Sequence, residues 1–285
     1  MQLRALPQVQ LEFNNKTLDL SVPQVMGVLN VTPDSFSDGG KFTQLEFALK
    51  HATTMVTEGA SIIDVGGEST RPNALEVSVY EEINRVVPVI EAISQQLDVI
   101  ISIDTSAPQV AHAAVKAGAH IWNDVRALTK PGALEMAAEL GVPVVLMHMR
   151  GEPDSMSSLA NYSNITHEVI AELEQRILAA LKAGIDKQNI IIDPGFGFAK
   201  NAAHNLKLLN ELYQLTDYFA MPWLSGLSRK RFLGEALGGA DVNDRLYAGL
   251  AGHLMSVQQG ASIVRTHDVL ATVHHLKLWQ ASQMH

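Results

Sequence analysis

Short, wholly apolar runs separated by longer stretches with apolar residues at helical spacing set the rhythm of this chain. The runs predict strands at residues 25–31, 62–65, 99–104, 120–123, 144–148, 190–193, 219–225 and 263–266. Ahead of them, residues 9–22 alternate around Asn14-Asn15-Lys16, the pattern of a β-hairpin. Between the strands, Ile83, Val87, Ile90 and Leu97 form one helical stripe, in which Pro88 is expected to bend or interrupt the helix. Val169, Leu173, Ile177 and Leu181 form another, closed by Gly184, and Leu206, Leu209 and Leu212 a shorter third, with polar Asn205 just before it. Gly59, Gly118, Gly141, Gly184 and Gly260 each follow a helical pattern and precede a strand, where glycine can take the left-handed conformation that closes a helix.

This recurrence predicts consecutive β-α units: an α/β fold, a (β/α)8 TIM barrel with an N-terminal β-hairpin. A doubly wound open sheet is the competing arrangement. No linker divides the chain, so residues 1–285 are expected to form one domain, with 1–23 as its hairpin extension.

Composition narrows the classes. With 47% hydrophobic and 18% charged residues the chain can fill a large core, which excludes a disordered chain. A net charge of −9 and the lack of a Lys/Arg cluster argue against nucleic-acid binding. The absence of cysteine excludes a thiol nucleophile, thiolate metal ligation and disulfides. No apolar run approaches the ~18 residues of a membrane span, and the first residues do not resemble a signal peptide, so a cytoplasmic location is expected.

The longest polar break follows the first barrel strand, where Asn30 leads into Pro33, Asp34, Ser35, Ser37 and Asp38 around a lone Phe36. Polar groups gather at the other strand ends too: Asp64 with Thr70 and Arg71, Asp104, Asn123-Asp124, His148 with Arg150, Asp193, Ser228-Arg-Lys230, and Arg265-Thr-His267. Each alone has a structural explanation. A helix cap accounts for Asp104 or Asp268, and a satisfied core histidine for His148. Recurrence at every strand end is what capping does not require, and barrel sites form there. Carboxylates at Asp104 and Asp193, an amide at Asn123 and the ammonium of Lys230 suit a flat heterocycle with an amidine-like edge. Arg265 and His267 suit phosphate, and the Asn30 oxygen suits Mg2+ shared with phosphate oxygens.

The chain resembles the dihydropteroate synthases from Gln24 onward. The segments that carry the likeness are Asn30-Val-Thr-Pro-Asp-Ser-Phe-Ser-Asp-Gly39, Asp64-Val-Gly-Gly-Glu-Ser-Thr-Arg-Pro72, Ile103-Asp-Thr105 and Asn123-Asp-Val125. Met147-His-Met-Arg-Gly151, Asp193-Pro-Gly-Phe-Gly-Phe198, Ser228-Arg-Lys230 and Arg265-Thr-His267 follow in the same order. A small residue commonly follows Ser-Arg-Lys in that family, and here Arg231 stands instead.

The resemblance implies that 6-hydroxymethyl-7,8-dihydropterin diphosphate and 4-aminobenzoate condense to dihydropteroate and diphosphate in folate synthesis. It also implies Mg2+, a homodimer and sensitivity of the enzyme class to sulfonamides. It assigns the pterin to Asp104, Asn123, Asp193 and Lys230 with Arg265 against the ring, and the diphosphate with its Mg2+ to Asn30, Arg265 and His267, with Thr70 nearby. Phe36, Arg71, Pro72, Phe198 and Ser228 would frame the aminobenzoate. The loops after the first two barrel strands would close over a cation-like intermediate and exclude water. A pterin-dependent methyltransferase and a non-catalytic pterin-binding relative are the alternatives. The first would not need the 32–40 loop or Arg265-Thr-His267, and the second should have lost ligands that are present here.

Overall fold

The structure, a computed structural model, describes residues 3–13, 16–31, 41–68 and 77–283. Its strands are β1 (Gln10–Phe13), β2 (Lys16–Asp19), β3 (Gln24–Asn30), β4 (Ile62–Gly66), β5 (Ile100–Asp104), β6 (Ile121–Asp124), β7 (Val144–Met147), β8 (Ile190–Asp193), β9 (Leu224–Ser225) and β10 (Ile263–Thr266). Its α-helices are α1 (Lys41–Thr57), α2 (Val79–Gln96), α3 (Pro108–Lys116), α4 (Ala133–Leu140), α5 (Ile165–Lys182), α6 (Ala202–Asn210), α7 (Tyr213–Phe219), α8 (Arg231–Ala236), α9 (Leu246–Gln258) and α10 (Val269–Gln283). No described helix is long and apolar enough to cross a membrane.

An 8-stranded sheet runs in the order β8-β7-β6-β5-β4-β3-β10-β9, with every pairing parallel. A parallel bridge between Ile192 and Trp223 brings β8 to the residue before β9, so the ring of strands is nearly closed and the open-sheet alternative is ruled out. The glycines at the predicted helix ends behave as expected: Gly59, Gly118, Gly141, Gly184 and Gly260 all have positive φ.

β1 and β2 form the expected antiparallel hairpin, with Leu11 opposite Leu18; its tip at Asn14-Asn15 lies outside the described residues. The hairpin stoppers the barrel. Leu11, Phe13, Leu18 and Leu20 pack in one cluster with Met26, Ile62, Ile100, Ile121, Val145, Ile191, Leu224 and Ile263, which lie at or near the start of each barrel strand. That layer closes the N-terminal mouth with hydrocarbon. It also fixes which residues face inward above it, because side chains in a strand repeat with period two.

Three expectations change in detail. The strand predicted at 219–225 shrinks to Leu224–Ser225, because Tyr213–Phe219 is helical, with Leu215 buried and Ala220 closing the helix in the left-handed region. Only Phe219 of that segment is in the helix; Met221 and Trp223 are buried in the connection to β9, where Trp223 makes a single bridge to Ile192. Of the two outcomes expected at Pro88, interruption does not occur, since α2 runs unbroken through it. A proline in a helix costs ~3 kcal/mol, whereas burying Val86, Val89, Ile90 and Ile93 yields on the order of 1.5–3 kcal/mol each. The most buried face of α2 lies beside the stripe read at Ile83, Val87 and Leu97, which are half-buried against the same core, and it includes Glu82, which burial pushes up to about 7. Likewise Leu206 and Leu181 are exposed, while Asn205 and Leu208 are buried.

Candidate active site

The period of two carries each strand from the hydrocarbon layer to a polar one. Ile62 leads to Asp64, Ile121 to Asn123, Ile191 to Asp193 and Ile263 to Arg265; one more step leads from Ile100 to Asp104 and from Met26 to Asn30. Five of the expected site residues, together with Asp64, are thereby placed on the inner face of one barrel end, the C-terminal mouth.

Arg265 lies across the floor of that mouth. Its Nε donates to Asp64 Oδ2 at 2.6 Å and its Nη2 to Asp104 Oδ2 at 2.7 Å, while Asn123 Nδ2 donates to the same Asp64 oxygen at 3.1 Å. Burial works against the guanidinium charge, yet Asp64 and Asp104 outweigh it and raise Arg265 above its ordinary value. Burial pushes the Asp104 carboxyl up to about 7, against the pull of Arg265. The second oxygen of Asp64, Oδ1, is buried and has no hydrogen-bond partner among the described residues.

Asp193 ends β8 and its carboxylate is held by the turn that follows: Gly195 N–H donates to Oδ1 at 2.7 Å. The other oxygen faces Gly226, where a Cβ would stand 3.6 Å away. Burial raises Asp193 to about 6, with the Gly195 N–H and Lys230 opposing. Lys230, just before α8, places its Nζ 4.2 Å from the centroid of the Phe198 ring, a cation–π contact. Burial and then Arg265 pull Lys230 down to about 8, so it remains a cation at neutral pH.

His267 is neutral at that pH, pulled to about 4 by burial and by Arg265. Its backbone N–H donates to Ser228 Oγ at 3.2 Å, and its Nδ1 lies 3.1 Å from the same oxygen. An oxygen that accepts from the amide has its own proton for Nδ1, which leaves the ring proton on Nε2, free to donate to an anion. Arg229 and Asp268 pair through two hydrogen bonds of 3.1 and 2.5 Å, tying the loop after β9 to the loop after β10. Arg231 points outward, 88% exposed and paired with Glu235, and α8 starts at it.

Asn30, Asp104, Asn123, Asp193, Phe198, Ser228, Lys230, Arg265 and His267 thus lie at or around the C-terminal mouth. Phe36, Thr70, Arg71 and Pro72 lie outside the described residues. His148 is a satisfied core histidine, buried and bonded at both ring nitrogens. Two participants have no role in the sequence-based assignment: Asp64 as the anchor of Arg265, and Lys200, an ammonium buried behind the Asp193 turn. The signal for Asp64 is its place two residues after Ile62 on the inward face. Lys200 follows Phe198-Ala199 beyond the strand end, where no periodicity applies.

The mouth therefore brings together carboxylates, an amide, a half-buried ammonium, a guanidinium and a neutral imidazole. Fold and site define a TIM-barrel enzyme whose polar groups gather at the C-terminal ends of its strands. A family profile described as "Pterin binding enzyme" matches residues 26–267. The dihydropteroate synthase of Escherichia coli (strain K12) is 50% identical over 93% of this chain and 94% of its own. The Xanthomonas albilineans dihydropteroate synthase, solved with 4-aminobenzoic acid, superposes with a TM-score of 0.91 at 48% identity, covering 97% of this chain and 98% of that one. The same enzyme solved with 7,8-dihydropteroate superposes at 0.87 with 46% identity, over 96% of this chain and 98% of that one. This chain belongs to the pterin binding enzyme family and, within it, to the dihydropteroate synthases.

Proposed function

We propose that this protein condenses 6-hydroxymethyl-7,8-dihydropterin diphosphate with 4-aminobenzoate, giving 7,8-dihydropteroate and diphosphate. The observation that carries the reading is the division of the mouth. Asp104, Asn123, Asp193 and Lys230 make one side suited to a pterin edge, while Arg265 and His267 bring anion donors to its rim.

In this reading Asp193 accepts N–H donors of the pterin, and Asn123 and Lys230 complete its edge. Arg265 lies against the ring and reaches the diphosphate, to which neutral His267 donates from Nε2. The C–O bond between the exocyclic methylene and the diphosphate breaks with its electron pair going to the diphosphate oxygen. The electron-rich dihydropterin spreads the positive charge left on carbon. The neutral arylamine nitrogen then forms the C–N bond and loses one proton to solvent. No covalent nucleophile is needed, in keeping with the absence of cysteine, and the rate comes from positioning and electrostatics.

Mg2+ fits the donors at hand. Asn30 ends β3 as an exposed neutral oxygen donor beside Gly66. Among the described residues no three carboxylates or histidines are grouped to hold a metal alone. A hard ion that keeps waters and shares substrate phosphate oxygens suits such a sparse site. Asn30 would hold it, and when bound it would supply charge neutralisation on the diphosphate. Phe36, Arg71 and Pro72 are proposed, with Phe198, as the frame of the aminobenzoate.

The test is diphosphate release from the pterin diphosphate with Mg2+, with and without 4-aminobenzoate. Release dependent on the aminobenzoate, with dihydropteroate formed in step, supports the reading. Tight pterin binding without release would favour a non-catalytic relative.

A further inference from the structure

Behind the pterin side of the mouth lies a polar network that touches none of the side chains assigned to the pterin. Lys200 is buried, and its three N–H donors are all used: to His148 Nδ1 at 2.8 Å, Gly195 O at 2.9 Å and Phe198 O at 3.0 Å. The two carbonyls are the ends of one turn, closed by Phe198 N–H donating to Gly195 O at 3.2 Å. The ammonium therefore clips the turn shut from behind.

The front of that turn makes the site. Gly195 N–H holds Asp193 Oδ1, and the Phe198 ring lies under the Lys230 ammonium. The turn also runs hard against the end of β7: a Cβ at Gly195 would stand 2.0 Å from His148 O.

His148 is held from its other side. Burial and then Lys200 pull it down to about 4, so its ring is neutral. Nδ1 facing the ammonium must accept, which puts the proton on Nε2, 3.0 Å from Glu172 Oε2. Burial opposes the Glu172 charge, yet His148 and Arg150 hold it down at about 2. Arg150 in turn is bonded to Glu172 and Glu168 on α5, with its guanidinium carbon 3.9 Å above the Tyr162 ring. The Met147-His-Met-Arg-Gly151 segment, which carries the family likeness without a substrate group assigned to it, thus acquires a role.

We propose that Glu172, His148 and Lys200 form a positioning unit: Glu172 fixes the histidine tautomer, the histidine fixes the ammonium, and the ammonium sets the Gly195–Phe198 turn that aims Asp193 and Lys230 at the pterin. The proposal rests on the pterin-side assignment above. Its physical basis is geometric: the buried Lys200 Nζ spends all three of its contacts on the histidine and the two ends of the turn.

The two nitrogens of His148 allow a clean test. An asparagine places its Oδ1 where Nδ1 lies, so His148→Asn retains the acceptor for Lys200 and loses Glu172. A glutamine places its Nε2 near the ring Nε2, so His148→Gln retains Glu172 and loses the acceptor. The two variants and Lys200→Met are compared by calorimetric binding of 6-hydroxymethyl-7,8-dihydropterin diphosphate, by steady-state kinetics and by urea unfolding. The expected result is that His148→Gln and Lys200→Met bind the pterin at least about tenfold more weakly than His148→Asn, since a misplacement of ~1 Å at a reacting site costs on the order of a hundredfold. The loss should appear in KM for the pterin more than in kcat, because Arg265 and His267 are outside the unit. Lys200→Met leaves the Phe198 carbonyl without its donor and can fail to fold, in which case the histidine pair decides. Equal losses in the two histidine variants that track their urea midpoints would overturn the proposal, leaving a purely structural network. A wild type that binds the pterin but does not condense it would count against the reaction alone, because calorimetry still reads the unit. A wild type that does not bind the pterin overturns both.

Discussion

Arg265 Nε and Asp64 Oδ2, 201 positions apart in the chain, are joined by a 2.6 Å hydrogen bond across the floor of the barrel mouth. The bond holds the guanidinium flat over the site before any ligand arrives. Asp64 reaches no solvent, so its work is to orient Arg265 and Asn123.

Replacing Asp64 separates orientation from contact. Asp64→Ala removes one of two carboxylates from a largely buried cation, and breaking such a pair costs about 3–5 kcal/mol. Because Arg265 keeps Asp104, the low end, ~3 kcal/mol, is expected in urea unfolding. Catalytic efficiency, kcat/KM, should fall about a hundredfold. Asp64→Asn retains an oxygen for Arg265 and should lie between. An alanine variant with unchanged kcat/KM would show that Asp64 does not orient the cation.

With Asp193 and Asp104 proposed on the pterin edge, pterin binding should depend on pH. Asp193 is raised to about 6 by burial, and the raised value carries a sign. Its contribution to the stability of the free protein is fully present below the unfolded value of about 4 and is lost as pH rises through about 6. At neutral pH the free protein therefore bears a buried carboxylate, and a pterin that donates N–H groups to it offsets that cost. From Asp193 alone, pterin affinity should fall about tenfold per pH unit below 6, with one proton released on binding. Asp104, raised to about 7, acts in the same sense. Calorimetry in two buffers of different ionisation heat reads the proton count; uptake, or a flat profile between about pH 5 and 6.5, would contradict this.

How much of this was legible from sequence follows the same periodicity. Ile62-Ile-Asp64, Ile121-Trp-Asn123, Ile191-Ile-Asp193 and Ile263-Val-Arg265 each place an apolar residue and a polar one on one face, and both barrel and mouth follow from that. Where no period applies, reading by residue type fails. The 219–225 segment has a strand's composition, yet only Leu224–Ser225 pairs as a strand, because α7 extends through Phe219 and Met221 and Trp223 are buried in the connection that follows. Lys200 looks like an ordinary surface lysine. Its role depends on carbonyls exposed by a turn, and side-chain spacing does not encode carbonyl direction.

Two glycines of similar φ should respond differently to alanine. Gly141 (φ 64) and Gly195 (φ 68) both lie in the left-handed region, which costs a non-glycine residue roughly 1–2 kcal/mol. A Cβ added to Gly141 would meet nothing within 4 Å, so Gly141→Ala should cost only that amount and leave kcat intact. At Gly195 the Cβ would meet the His148 carbonyl oxygen at 2.0 Å, a clash with backbone that no side-chain rotation can relieve. Gly195→Ala must move the turn, and with it Asp193 and Phe198. Pterin affinity should drop at least about tenfold even where the protein still folds. Comparable kinetics for the two variants would mean that the turn's fit against β7 is irrelevant to the site.

The opposite end of the barrel offers the complementary experiment. Leu20 is fully buried in the layer where the hairpin meets the first inward residues of the strands. Truncating such a leucine costs about 2–5 kcal/mol, the spread depending on how far the cavity collapses. Here collapse is limited, since Met26, Ile62 and their neighbours are pinned by strand pairing on both sides. The upper half of the range is therefore expected for Leu20→Ala. Yet the polar layer begins further along each strand and its geometry is set by the sheet, not by the stopper. Below the unfolding transition, kcat and KM should stay within about twofold of wild type, while the urea midpoint shifts clearly downward. If kcat fell in parallel with stability, the hydrocarbon layer would be shaping the mouth, and the separation of the barrel into a closed end that stabilises and an open end that reacts would fail.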